Sequence, residues 1–148
     1  MLVVALSLLA IPVTAVSADV PDTAWFIDGT GAAIQIFDCS GLLCGGIVWL
    51  HKAHHAAGQL AHDNKNPDLA FRQRLLCALT ILQGLQPAGL EHWDGGWLYN
   101  PDDGRTYRVS AELRSADVFK ARIYLGVPIF GETKTLQRVT RLGLEGWC

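Results

Sequence analysis

The sequence predicts an all-β protein in which about eight short antiparallel strands close into an up-and-down barrel. Glycine, proline, asparagine and aspartate recur at short intervals, and they separate runs rich in β-branched and aromatic residues. Residues 106–113 and 118–125 alternate apolar and polar side chains with a period of two, as half-buried strands do. A meander of short strands leaves two unpaired edges unless the sheet closes, so a barrel is expected.

Eight strand-like segments follow one another along the chain. They are residues 25–27, 33–37, 47–50, 75–85, 92–99, 106–113, 118–125 and 133–142. Residues 75–85 are apolar enough to form either a strand or a helix. We place the faces that carry Tyr107 and Phe119 inside the barrel. The connection at residues 51–74 is the longest, and it is expected to hold a short helical turn at residues 67–72 with Asn66 as its N-cap.

Residues 1–18 indicate a signal peptide, because they carry no charge, contain an apolar run and end in small residues at Val16, Ser17 and Ala18. An N-terminal membrane anchor is the alternative, although Pro12 interrupts the run well before the roughly 20 residues that a membrane-spanning helix needs. Residues 19–148 then form a single barrel domain without a transmembrane segment. A periplasmic or secreted location follows.

The composition argues against a nucleic-acid-binding protein. Lysine and arginine number 12 and aspartate and glutamate 14, for a net charge of −2, and no basic stripe points to nucleic acid. In an exported chain the four cysteines are best interpreted as disulfide candidates. Cys39 and Cys44 enclose four residues, a spacing that suits a bridge across a tight turn. Whether Cys77 pairs with Cys148 is left open at this stage.

Two groups of residues of the kinds that bind metal ions are better explained without a metal. His51, His54, His55 and His62 cluster in the long connection, and the spacing of His51 and His55 would suit zinc on a helix, but neither a cysteine nor an HExxH pattern completes a site. We interpret them as part of a solvated loop. Residues 99–104 form a turn-rich segment that lacks the ligand alternation of a calcium loop. No metal and no cofactor is expected.

A series of ordered motifs resembles the bacterial exported family catalogued as domain of unknown function 2147. The motifs are Cys39…Cys44-Gly45, Ile47-Val48-Trp49-Leu50, Asp63…Asn66-Pro67-Asp68, Arg72-Gln73-Arg74, residues 99–107 and Gly131…Thr133…Thr135…Arg138. The resemblance implies a small lipocalin-like or streptavidin-like barrel whose biochemical role is not established. Leu136 stands where the family is expected to carry tryptophan. If that tryptophan shapes the family's pocket, this chain is expected to bind a different ligand or to bind less well.

A set of arginine and aromatic side chains forms the candidate ligand-binding group. Arginine offers a rigid fork of donors for a carboxylate or phosphate, and tyrosine adds flat apolar area with one polar tip. The set is Trp49, Arg72, Arg74, Tyr99, Tyr107, Arg122 and Tyr124. In the alternative interpretation Arg72 and Arg74 pair with acids, and Asp63, Asn66 and Asp68 anchor the long loop to one end of the barrel.

The favoured hypothesis is a binding module for a small hydrophobic or amphipathic ligand. A protein-interaction or inhibitor module that uses the long loop is the alternative. An enzyme built on Asp63 and a tyrosine is a third hypothesis, and it is disfavoured because no nucleophile setting and no suitably separated pair of carboxylates stands out. We therefore expect a protein without catalytic residues.

Overall fold

Eight antiparallel strands form a closed barrel in which every strand pairs with its neighbours in the chain and β8 pairs with β1. The structure is a computed structural model that describes residues 24–51, 60–139 and 148. The strands are β1 (Ala24–Ile27), β2 (Ala32–Asp38), β3 (Leu43–Leu50), β4 (Thr80–Gly89), β5 (His92–Asn100), β6 (Arg105–Ser115), β7 (Val118–Tyr124) and β8 (Glu132–Val139). The predicted fold class is confirmed.

Three expectations fall outside the described residues. These are the signal peptide at residues 1–18, the histidines His54 and His55, and the end of the last predicted strand beyond residue 139. Within the described ranges, none of the helical segments is both long and apolar enough to cross a membrane.

The up-and-down order places the connections alternately at the two ends of the barrel. Residues 28–31, 51–79, 101–104 and 125–131 join strands at one end, which we call the open end. The turns at residues 39–42, 90–91 and 116–117 lie at the other, which we call the closed end. Long loops are therefore concentrated at the open end, where they surround the mouth of the barrel.

Aromatic side chains fill the closed end. The ring centroid of Phe119 lies 5.6 Å from that of Trp25 and 5.7 Å from that of Trp93. A Cβ atom on Gly96 would lie 2.7 Å from Cγ of Leu85, so only glycine fits at that position. This half of the barrel is consequently packed solid.

The alternation in β6 and β7 places the predicted faces inside. Val109, Ala111, Phe119 and Ala121 all lie within the barrel, as the period-two pattern predicted. Leu125 was assigned to the same face but is exposed, because β7 ends one residue earlier at Tyr124.

An irregular register between β2 and β3 turns one aromatic side chain outward. Ala33 pairs with Trp49, but the next residue, Ile34, pairs with Ile47, so β3 contains one extra residue at this point. Such a bulge changes which side of the sheet the following residues face. Trp49 therefore packs on the outer face against Ala33 and against Phe26, at a centroid distance of 6.1 Å.

The long loop contains the predicted helical turn, a 3₁₀ turn at Leu69–Phe71. Its N-cap is Asp68, whose side chain accepts a hydrogen bond from the Ala70 amide at 2.9 Å. The prediction of Asn66 as the cap was wrong, because the Asn66 side chain instead accepts from the Asp68 amide. The ambiguous segment at residues 75–85 contains no helix; Leu75 bridges to His62, and β4 begins at Thr80.

Two disulfides are present. Cys39–Cys44 closes the turn between β2 and β3, as expected from the spacing. Cys77–Cys148 links the long loop to the last residue of the chain across a sequence separation of 71. The pairing that the sequence left open is therefore made.

Candidate ligand-binding site

A cavity of about 370 Å³ occupies the open half of the barrel. This volume lies near the lower end of the roughly 300–1,000 Å³ typical of small-molecule pockets. Apolar side chains make up most of the wall. They include Ile27, Ile34, Ile47, Leu50, Leu76, Ile81, Leu82, Leu85, Leu98, Val109, Phe119, Ile123 and Leu136.

The cavity exists because neighbouring positions in its wall carry small side chains. Ala111 of β6 pairs directly with Ala121 of β7, and both line the hollow together with Ala32 of β2. Larger side chains at these positions would fill the space, as the aromatic rings do at the closed end. The transition from aromatic residues to alanine along the barrel axis thus leaves room for a small apolar molecule.

An ion pair lies in the cavity wall. Glu132 and Lys134 are two residues apart on β8, so their side chains share the inner face with Leu136. The Lys134 Nζ atom lies 2.6 Å from the Glu132 Oε1 atom. The Lys134 side chain is 27% exposed and that of Glu132 is 69% exposed. Neither residue was predicted from the sequence, although alternation through β8 in register with β7 would have placed both on the inner face.

Tyr99 connects the cavity to a buried polar cluster in the long loop. Tyr99 is one of the residues that line the cavity, and its hydroxyl donates to Asp63 Oδ1 at 2.5 Å. Asn66 Nδ2 and Arg74 Nε each donate to Asp63 Oδ2 at 2.8 Å. The Asp63 side chain is fully buried and Asn66 is 5% exposed. Every hydrogen bond in this cluster satisfies a group that would otherwise be costly to bury.

Hydrogen bonding decides the charge state of this cluster. Burial by itself raises the pKa of Asp63, but the donors Tyr99, Asn66 and Arg74 outweigh it and leave this pKa below its ordinary value. Burial and the hydrogen bond to Asp63 raise the pKa of Tyr99. Asp63 is therefore an anion at neutral pH and Tyr99 is a neutral donor.

The other predicted residues of the long loop surround this cluster. Arg74 places its guanidinium over the rings of Phe71 and Tyr99, at 5.1 and 5.4 Å from their centroids. Arg72 Nε donates to the backbone oxygen of Asn66 at 2.8 Å. Neither arginine is among the described residues that line the cavity. The structure thus brings Asp63, Asn66, Arg74 and Tyr99 together, and Asp68 caps the nearby 3₁₀ turn.

Three predicted ligand residues lie on the outer face of the barrel. Trp49 is turned outward by the bulge in β3, and Arg122 and Tyr124 alternate with the inward Ile123 on β7. Arg122 donates to the backbone oxygens of Pro128 and Ile129 and to Thr133 Oγ1. These three residues are not among the described residues that line the cavity.

Tyr107 belongs to the hairpin between β5 and β6. Its hydroxyl donates to the exposed carboxylate of Asp103, and this bond raises the pKa of Tyr107. The tyrosine is absent from the described cavity lining.

Among the residues that the structure describes, three or more histidine, cysteine, aspartate or glutamate side chains nowhere come together as a metal site.

A solved structure supports the description of the fold as lipocalin-like. It is described as "Protein HP1028 from the human pathogen Helicobacter pylori belongs to the lipocalin family" and superimposes with a TM-score of 0.68. The similarity covers 83% of this chain and 84% of that chain at 22% sequence identity, a level that shows the fold alone. No curated protein gives a significant match to the chain. A family model matches residues 23–138, and the chain belongs to the family described as "Uncharacterized protein conserved in bacteria (DUF2147)".

Proposed function

We propose that this protein is an exported binding module that holds a small, partly apolar ligand in the open half of its barrel. The observation that carries the proposal is the apolar cavity of about 370 Å³, walled by alanine and branched aliphatic side chains. An apolar space of this size can bury most of the surface of a small ligand. The lipocalin-like fold is consistent with such a role.

An exported location is supported by the two disulfides, because such bonds persist in oxidising compartments and are rare in the cytosol. Fractionation of host cells, with the disulfides followed by thiol labelling, tests this part of the proposal. Recovery of reduced protein from the cytosol would contradict it.

We propose binding rather than catalysis as the role of the barrel. The sequence hypothesis of an enzyme rested on Asp63 and a tyrosine, and Tyr99 does donate to Asp63. However, the carboxylate is fully buried, and its pKa is held low by three side-chain donors. A carboxylate in this state is a weak general base, because its proton affinity is far from that needed near neutral pH. The cluster is better explained as the anchor of the long loop.

The test introduces a phenylalanine inside the cavity in one variant and at an outward-facing position of the same strand in another. Ala121 lines the cavity, whereas its chain neighbour Lys120 faces outward on the same strand. In the Ala121→Phe variant we expect the affinity for the neutral fluorescent probe N-phenylnaphthylamine to fall about tenfold or more, since forcing a ligand against an added ring costs roughly 1–3 kcal/mol. The Lys120→Phe variant should bind like the wild type.

Circular dichroism establishes that both variants fold. Equal probe binding by folded Ala121→Phe and wild-type protein would contradict the proposal, as would the absence of any probe binding to the wild type.

A second candidate function is an interaction module that contacts a protein partner through the open end. Large apolar side chains are exposed on two loops there, with Leu69 at 71%, Ile129 at 78% and Phe130 at 83% exposure. Exposed apolar groups of this kind occur at interaction sites. Crosslinking in the cell envelope from position 129, with position 90 at the closed end as the control, tests this candidate. A partner captured only from position 129 would favour it.

A further inference from the structure

We infer that the cavity binds an amphiphile with a single carboxylate head group, and that Lys134 binds this head group. The inference rests on the proposed function and specifies the chemical class of the ligand. It is carried by the position of Lys134, the charges around it and the ion pair that it makes.

Lys134 lies deeper in the barrel than its partner. Its backbone pairs with Ala121 in the middle of β7, whereas that of Glu132 pairs with Ile123 near the open end. The exposures of 27% and 69% follow this difference in depth. A ligand inside the cavity therefore lies closer to Lys134 than to the Glu132 carboxylate, most of which is in water.

The charges among the described lining residues limit how much negative charge a head group can carry. Of the described residues that line the cavity, Lys134 is the only cation, and Asp102 and Glu132 are the only acids. Asp102 is an exposed residue of the loop between β5 and β6. One ammonium group balances one carboxylate, whereas a doubly charged phosphate would leave an excess negative charge close to two acids.

Glu132 acts as a replaceable partner for Lys134. An exposed ion pair contributes only about 0–1 kcal/mol, because water competes for both charges. The ligand carboxylate can take the place of Glu132, which then turns into the solvent through its exposed side. The alkyl part of the ligand would extend past Lys134 toward Ile34, Leu82 and Phe119, which are buried in the cavity wall.

The test compares three probes of equal chain length: octanoate, octanol and octylamine. Calorimetric titration of the wild type should show octanoate binding about tenfold tighter than octanol, the size expected for a hydrogen bond to a charged group. In Lys134→Met, which keeps the approximate length of the side chain and removes its charge, this preference should disappear because the affinity for octanoate falls to about that for octanol. Lys120→Met, on the outer face of the neighbouring strand, is the matched control and should behave like the wild type.

A second variant is expected to bind octanoate more tightly than the wild type. Glu132→Gln removes the competing carboxylate and leaves Lys134 in place, so octanoate affinity should rise about threefold, within the range of a weak exposed ion pair. A purely structural role of the pair would not produce tighter binding.

Three results would overturn the inference: octanoate binding as tight in Lys134→Met as in the wild type, equal wild-type affinity for octanoate and octanol, or a preference for octylamine. In these cases a ligand still enters the cavity, so the proposed function stands. A wild-type protein that binds none of the three probes also overturns the inference, and the N-phenylnaphthylamine experiment then decides separately whether the cavity binds ligands at all.

Discussion

Tyr99 is the residue that joins the long loop to the candidate site. It is one of the residues that line the cavity, and its hydroxyl donates a hydrogen bond to the buried Asp63 carboxylate. The rest of that cluster, Asn66 and Arg74, comes from the loop alone. A change at Tyr99 therefore reaches both the shape of the cavity and the attachment of the loop.

Replacing Tyr99 by phenylalanine should lower the free energy of unfolding by about 1–3 kcal/mol, because it leaves a buried carboxylate short of one donor. The matched control is Tyr107→Phe, which removes a similar hydrogen bond to the exposed Asp103 and should cost less than about 1 kcal/mol. Urea denaturation at neutral pH measures both. Equal losses in the two variants would show that the Asp63 cluster contributes no more than a surface contact.

The pKa of Asp63 also predicts an acid dependence of stability. Its folded value lies below the roughly 3.9 of an unfolded aspartate, so its contribution is fully present above about pH 4 and is lost as the pH falls through the folded value. The pKa of Asp103 is lowered as well and adds a dependence of the same sign. In Asp63→Asn the free energy of unfolding should be lower at pH 7 and should fall less steeply below pH 4. An unchanged acid slope in this variant would contradict the assignment.

At the level of elements, the long loop also contacts the turn between β5 and β6. Lys65 Nζ donates to the Asp102 carbonyl oxygen at 2.6 Å. Next to it, Gly104 has a φ of +71°, and a Cβ atom there would collide with the Lys65 carbonyl oxygen. Both the backbone conformation and the close approach require glycine at this position. The loop and the hairpin thus form one unit beside the cavity mouth.

Gly104→Ala should detach the long loop from the hairpin between β5 and β6. We compare it with Gly126→Ala, since Gly126 has a φ of +76° but would place its Cβ in open space. The control should cost about 1–2 kcal/mol from the backbone conformation alone. Gly104→Ala should cost more and should speed amide hydrogen exchange in residues 60–74. Equal stability and equal exchange in the two variants would show that the contact with Lys65 is not needed for docking.

Across the whole molecule, the two ends of the barrel differ in how their interiors are packed. Trp25, Trp93 and Phe119 fill the closed end with aromatic rings, whereas Ala111 and Ala121 leave the open half hollow. The closed end supplies the buried apolar area that stabilises a small sheet protein. The open half gives up part of this packing and gains space for a ligand.

The two disulfides should differ in their effect on overall stability. The chain-entropy model gives about 2 kcal/mol for Cys39–Cys44, which encloses a few residues, and about 4 kcal/mol for Cys77–Cys148, which spans 71 positions. We expect the paired serine variant at Cys77 and Cys148 to unfold at markedly lower urea concentration than the one at Cys39 and Cys44. The reverse order would indicate that the long bridge constrains an end of the chain that contributes little to the barrel.

Sequence reasoning predicted the strands well because alternation is a local property. The inward faces of β6 and β7 followed from the period of two alone, and the same pattern already placed Arg122 and Tyr124 opposite Phe119. Their assignment to the ligand contradicted that pattern. The position of Trp49 was different, because one extra residue in β3 reverses the face and no local signal marks it.

The sequence by itself determined the strands, their up-and-down order, the turn-rich loops and a disulfide between Cys39 and Cys44, because these depend on residues that are near one another in the chain. Closure into a barrel was expected from the need to pair the two edge strands. Only the tertiary structure decided that the barrel is hollow at one end, that Lys134 and Glu132 face this hollow, and that Asp63 meets Tyr99 across 36 positions. These features depend on the closure of β8 against β1 and on the hydrogen bond that joins the long loop to β5. Both bring together side chains that are far apart in sequence, and local patterns carry little information about such pairs.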